Sequence, residues 1–250
     1  MSRADTSQEG GHPTVRREPR GTGRRHHGAI AQKLGEAILS GDYAPGHVLG
    51  AEVIAAEELG ISRTAYREAV QVLTAKGLVE SRPKTGTRVL PRERWNLLDP
   101  DVLAWAFAGA PDIQFIRGLF ELRAIIEPAA AALAAVRRDE TDLEVMKSAL
   151  DAMEEHGLSN EAGRAADRDF HTAILRATRN DALIVLSSSV GAAVNWTTLF
   201  KQRARALPRN PIPEHRRVYN AIAAAKSKAA SVAMRALVEL ALDDTSRSME

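Results

Sequence analysis

No cysteine occurs in the 250 residues, which removes disulfides, iron–sulfur clusters, thiolate zinc sites and a cysteine nucleophile, and suits a reducing cytoplasm. Aromatic residues make up only 4% of the chain. With many alanines and a 26% charged fraction, that composition points to a mostly helical protein. Neither sign of charge dominates: 34 Lys and Arg against 32 Asp and Glu leave a formal net charge of +2, so any basic surface must arise from local asymmetry. Long apolar runs are missing too. The longest uncharged stretch, Ala182 to Phe200, is interrupted by Ser187, Ser188, Ser189, Asn195, Thr197 and Thr198, so it reads as a buried helix rather than a membrane span. Residues 1–27 lack the hydrophobic region of a secretory signal and read as a disordered, Arg-rich tail. Its six arginines add nonspecific DNA affinity or only solubility.

What remains divides into a compact head, a linker and a long helical part. From Gly28 the apolar positions Ile30, Leu34, Ala37 and Ile38 keep helical spacing until Ser40-Gly41-Asp42 and Pro45-Gly46 stop the helix. A second short helix is expected from about Ala51 to Leu59, and Ser62 is a suitable N-cap for a third from Arg63 to Lys76. Two β-like runs, Leu78 to Ser81 and Thr87 to Leu90, then flank a turn-like segment at residues 82–86. Three helices followed by a hairpin make a winged helix-turn-helix over residues 28–91. Residues 92–110 lose periodicity but carry Trp95, Leu97, Leu98, Val102, Leu103, Trp105 and Phe107, as expected of a docked linker. Amphipathic patterns at about 113–135, 139–157, 161–178, 181–205, 213–227 and 227–247 predict an all-α bundle over 111–247. The fold class expected is mainly α.

In a helix-turn-helix the N-terminal part of the second helix of the motif enters the major groove. Here it offers Ser62, Arg63, Thr64, Tyr66 and Arg67. Arg63 and Arg67 are one turn apart and can grip guanine edges or phosphates. Residues 60–94 hold eight basic and three acidic side chains, whereas residues 28–59 set Lys33 against five acids. A solvated helix face, with Arg67 pairing to Glu68 or Glu80, is the bland alternative. The segments Gly46-His-Val-Leu-Gly-Ala-Glu52, Glu58-Leu-Gly-Ile-Ser-Arg-Thr-Ala-Tyr-Arg-Glu-Ala69, Leu73-Thr-Ala-Lys-Gly-Leu-Val-Glu80 and Gly86-Thr-Arg-Val89 resemble the GntR family of bacterial transcription regulators. The resemblance implies operator contacts by Arg63, Thr64, Arg67 and the wing glycine Gly86. Val53 stands where the family often has arginine, which implies a different operator sequence.

In the helical part, Asp167 and His171 are four residues apart and share a face with Ile174 and Leu175; His215 lies on the side of Val218 and Ile222. Buried polar groups need partners. Either these are hydrogen-bonded core residues or they share a metal. Together they resemble the FCD-type sensor domain of the FadR branch of the same family, over residues 111–246, including Glu121-Leu-Arg123-Ala-Ile-Ile-Glu127 and Asn180. That resemblance implies a divalent metal, zinc foremost, on Asp167, His171 and His215. It also implies a carboxylate effector held by Arg123, with Asp167, His171, Asn180 and His215 around it. The usual fourth ligand is replaced by Leu237. Three ligands leave open positions on zinc; without metal, the same side chains can bind a polyhydroxy acid directly. For Arg123 an i, i+4 salt bridge to Glu127 is an equal alternative. The linker Arg94-Trp-Asn-Leu-Leu-Asp-Pro-Asp-Val-Leu-Ala-Trp105 resembles that of sugar-acid-responsive repressors of this branch, making an acid such as D-galactonate the leading effector. The expectation is a cytoplasmic homodimeric repressor on a short palindromic operator, released by the effector. Sensing of a fatty-acyl, amino-acid or lactate-type metabolite, or a metal-dependent hydrolase or lyase, are the alternatives.

Overall fold

The computed structural model describes residues 22–49, 56, 57, 59–82, 86–109, 111–204 and 209–247. Helix α1 spans Thr22–Ser40, beginning six residues before the expected start at Gly28. Residues 22–27 are therefore helical, and the rest of the expected tail, residues 1–21, lies outside the described residues. The sequence of residues 22–27 gives no apolar period to read. Ala31, Leu34 and Ile38 form its buried stripe, and Gly41, at φ +93°, ends it in a conformation that favours glycine. Most of the expected second helix lies outside the described residues; Ala56 and Glu57 are helical.

Helix α2, Arg63–Ala75, starts as its sequence predicts: the Ser62 hydroxyl accepts the Ala65 N–H at 3.1 Å, satisfying one of the first-turn donors. Strands β1 (Val79–Arg82) and β2 (Gly86–Val89) pair antiparallel with Val79 opposite Val89 and Arg82 opposite Gly86. Val48 adds a bridge to Arg88. The wing tip, residues 83–85, lies outside the described residues.

The segment after the wing is docked. Trp95 donates its indole N–H to the Leu90 carbonyl at 2.8 Å, and Asp99 caps helix α3, Pro100–Ala108. Helix α3 is divided between two apolar clusters. Val102 and Trp105 join that of α1, α2 and the wing, whereas Leu103 and Phe107 join that of the following helices. Trp105 rests on Gly35 of α1, where an added Cβ would lie 2.3 Å from the indole. Gly35→Ala is therefore expected to cost about 1–2 kcal/mol through overpacking, read as a lower urea midpoint with unchanged slope.

Seven helices follow: α4 (Ile113–Arg137), α5 (Glu140–His156), α6 (Glu161–Ala177), α7 (Asp181–Ile184), α8 (Ser187–Ala204), α9 (Ile212–Ala223) and α10 (Ser227–Ser246). The single helix expected over 181–205 is split at Val185 and Leu186. The Ser187 hydroxyl donates to the Ile184 carbonyl at 2.6 Å, capping a group that a continuous helix would bond internally. Helix α10 packs on α4, α5 on α6, and α6 on α8, around Phe120, Met146, Leu150, Met153, Phe170 and Ile174. The stretch Asp181–Arg203 has the length and hydropathy of a membrane span, but Val190, Val194, Thr197 and Thr198 are buried against neighbouring helices.

Candidate ligand centre and nucleic-acid interface

Three helices of the bundle bring their polar side chains to one point. Helix α4 supplies Arg123 and Glu127, α6 supplies Asp167 and His171, and α9 supplies His215; none is more than 4% exposed. The i, i+4 spacing puts each pair on the inward stripe of its helix. Arg123 Nε donates to Glu127 Oε1 at 2.5 Å, as the salt-bridge reading of that pair predicts. The other Glu127 oxygen bonds His171 Nδ1. His215 Nε2 lies 3.0 Å and His171 Nε2 3.5 Å from the same oxygen, Asp167 Oδ1. The two imidazoles meet edge to face at 5.5 Å, with Phe170 against both.

Hydrogen-bond logic fixes the tautomers. His215 Nδ1 faces the Pro211 carbonyl at 2.8 Å and His171 Nδ1 faces a carboxylate, both acceptors only, so both Nδ1 atoms carry hydrogen. In neutral rings each Nε2 then presents a lone pair to Asp167 Oδ1, itself an acceptor. Three acceptors converging on one point require a cation between them, a proton or a metal. These ligand atoms lie within 4.8 Å of one another, and each imidazole is already oriented through its far nitrogen, the arrangement typical of metal-bound histidines. The donor set fits zinc with open positions. Electrostatics agree: burial opposes ionisation of Glu127, Asp167 and His171. Yet Arg123 and His171 hold Glu127 below the usual carboxylate range, His171 and His215 do so for Asp167, and Glu127 and Asp167 push His171 up.

The cluster opens on a cavity of about 40 Å³, room for an ion and a few waters. Leu237, 3% exposed, lines it where a fourth ligand was expected to be lacking. Sequence reasoning missed Lys201 and Thr198 of α8, and Arg209 and Asp244, which also line it. A signal existed: Val194, Thr198 and Lys201 fall at i, i+4 and i+7, so the lysine continues a buried stripe. Asn180 is not brought to the site. Its side chain accepts the Ala182 N–H at 3.1 Å and caps α7, a local role that Asn followed by Asp at a helix break commonly takes.

At the head, Ser62, Arg63, Thr64 and Arg67 are exposed at the start of α2. Tyr66 is not among them. It is 2% exposed, packed with Ala69, Val70 and Leu73 in the apolar cluster, because three- and four-residue spacing places it on their stripe. Its hydroxyl reaches the Leu49 carbonyl at 3.5 Å. Glu80 pairs with Arg82 across 3.1 Å. Gly86 opens β2 at φ +81°, a backbone conformation that explains glycine there.

Comparisons with known proteins agree with both halves. The model described as "Bacterial regulatory proteins, gntR family" matches residues 27–89, and the FCD domain model matches residues 118–240. The chain is similar to the Galactonate operon transcriptional repressor of Escherichia coli (strain K12), 37% identical over 77% of this chain and 85% of that one. It is also similar to the HTH-type transcriptional regulator LutR of Bacillus subtilis (strain 168), 33% identical over 80% and 91% respectively. Among solved structures, a Listeria monocytogenes protein, Lar, shares the fold with a TM-score of 0.64, 20% identity and coverage of 92% of this chain and 99% of that chain.

Proposed function

The chain belongs to the gntR family of bacterial transcription regulators and carries an FCD domain, a regulator rather than an enzyme, and on that premise we propose a homodimeric repressor released from a short palindromic operator by a small carboxylate. Our reading of the effector is a sugar acid, D-galactonate foremost. The observation that carries the effector site is the convergence of two Nε2 atoms on Asp167 Oδ1. Asp167, His171 and His215 would hold a divalent ion, zinc foremost, whose Lewis acidity would bind effector oxygens. Glu127 and the Pro211 carbonyl keep the two rings aimed, and Arg123 stands beside them. An apolar fatty-acyl effector would leave this polar lining unpaired.

Two further observations support the scheme. The cavity is small, about 40 Å³, and a six-carbon acid seated there would widen it, which would supply the differential interaction through which a ligand can shift a conformational equilibrium. For the second copy, Ile125, Ala129 and Val136 form an exposed stripe on α4, and Ala229, Val232 and Ala236 another on α10. The stripes are linked where Ser227 Oγ donates to the Ala132 carbonyl at 3.0 Å. An exposed apolar face of this kind suits a protein partner.

Fluorescence anisotropy of labelled operator DNA tests the reading. D-Galactonate is expected to release the wild-type protein, and His171→Ala to bind DNA normally but resist release. Release of His171→Ala at wild-type effector concentration, or indifference of the wild type to every aldonate and uronate tried, would remove this assignment.

A further inference from the structure

The cationic side chains around the cavity are not equivalent. Arg123 is closed onto Glu127 at 2.5 Å; Arg209 is closed onto Asp244 at 2.9 Å and Glu214 at 3.1 Å. Each of these charges already has its counter-charge. Lys201 lines the same cavity and is only 9% exposed. Among the described residues its ammonium has no hydrogen-bond acceptor and no carboxylate within ion-pair distance; Asp167 and Asp244 act on it only through space. Taking an ammonium out of water without a partner is costly, and burial accordingly pulls Lys201 down to about 8. A methionine would fill the same volume without that cost.

We propose that Lys201 is the anion-reading group of the effector cavity, pairing directly with the effector's carboxylate. This rests on the reading that the cavity is the effector site. Arg123, with its Nε committed to Glu127, is a positioning residue that steadies Glu127 and through it His171. An unpaired ammonium calls for an anionic group, and Thr198, one turn earlier on the same stripe, also lines the cavity. The ligand is therefore a hydroxylated carboxylate, in preference to a neutral sugar.

The test compares wild type with Lys201→Met and Lys201→Gln in the full-length protein by thermal unfolding. D-galactonate, D-galactarate, D-galactose and no addition are the four conditions. Without ligand, Lys201→Met is expected to raise Tm by roughly 2–4 °C, since an uncompensated charge has been removed. With D-galactonate or D-galactarate the wild type is expected to gain stability, and with D-galactose not at all. Both variants should weaken that binding by about thirtyfold or more. A ligand-free Tm that falls in Lys201→Met would show a structural partner for the lysine and overturn the proposal, as would undiminished D-galactonate binding by both variants. Equal stabilisation by D-galactose would overturn the need for an anion. If none of the three compounds stabilises the wild type, the sugar-acid reading fails by itself, and the ligand-free Tm still decides the role of Lys201.

Discussion

Asp167→Ala is expected to lower the stability of the protein by about 3 kcal/mol and to abolish any stabilisation by zinc, whereas Asp167→Asn should keep most of the stability and still lose the response to zinc. The two variants separate two duties of one side chain. Asp167 Oδ1 lies against Nε2 of both His215 and His171 inside a core where, among the described residues, neither Nε2 has another partner. Deleting it strands both. An asparagine amide can instead donate to a neutral Nε2, preserving a hydrogen bond of ordinary worth, about 1 kcal/mol, but brings no negative charge for a divalent ion. Urea unfolding with added zinc and with a chelator measures both effects. Equal stabilisation of Asp167→Asn and wild type by zinc would show that the carboxylate is not a ligand.

The second large effect concerns the head. Arg63→Ala and Arg67→Ala are each expected to weaken operator binding by about ten- to a hundredfold while leaving Tm unchanged, because both side chains are exposed and surface charges add little stability. Salt titrations distinguish their modes. An arginine on a phosphate lowers the slope of log K against log salt by about 1 when removed. An arginine on a base edge instead relaxes sequence preference at one position. Wild-type affinity in the double variant would take the recognition role away from this face of α2.

Much of this was legible in the sequence because it rests on local rules. Ser62 before an apolar stripe set the start of α2, and helical spacing placed Asp167, His171 and His215 on inward faces. The readings that failed are those in which a residue's type outweighed its position. Residue type groups Tyr66 with its polar neighbours, although its place beside Ala69, Val70 and Leu73 makes it core. Resemblance points Asn180 to the effector, although an Asn at a helix break has a nearer use as a cap. Lys201 reads by type as a solvated lysine near a helix end, although its spacing from Val194 and Thr198 continues a buried stripe. The early start of α1 left no apolar trace at all.

Helix α8 also reaches the linker. Arg203 Nη1 donates to the Phe107 carbonyl at 2.6 Å, Trp196 stacks on the Phe107 ring and Phe200 meets it edge-on. Only two residues earlier, Trp105 is seated on Gly35 of α1. Helix α3 therefore has no slack: it cannot slide against either neighbour without emptying a packed pocket on one side or the other. A shift of α8 would reach α1 through α3 as a swing of the wing-bearing unit. In a paired assembly, the quantity such a swing alters is the spacing between two recognition helices, and DNA admits only multiples of its own helical repeat, about 34–36 Å.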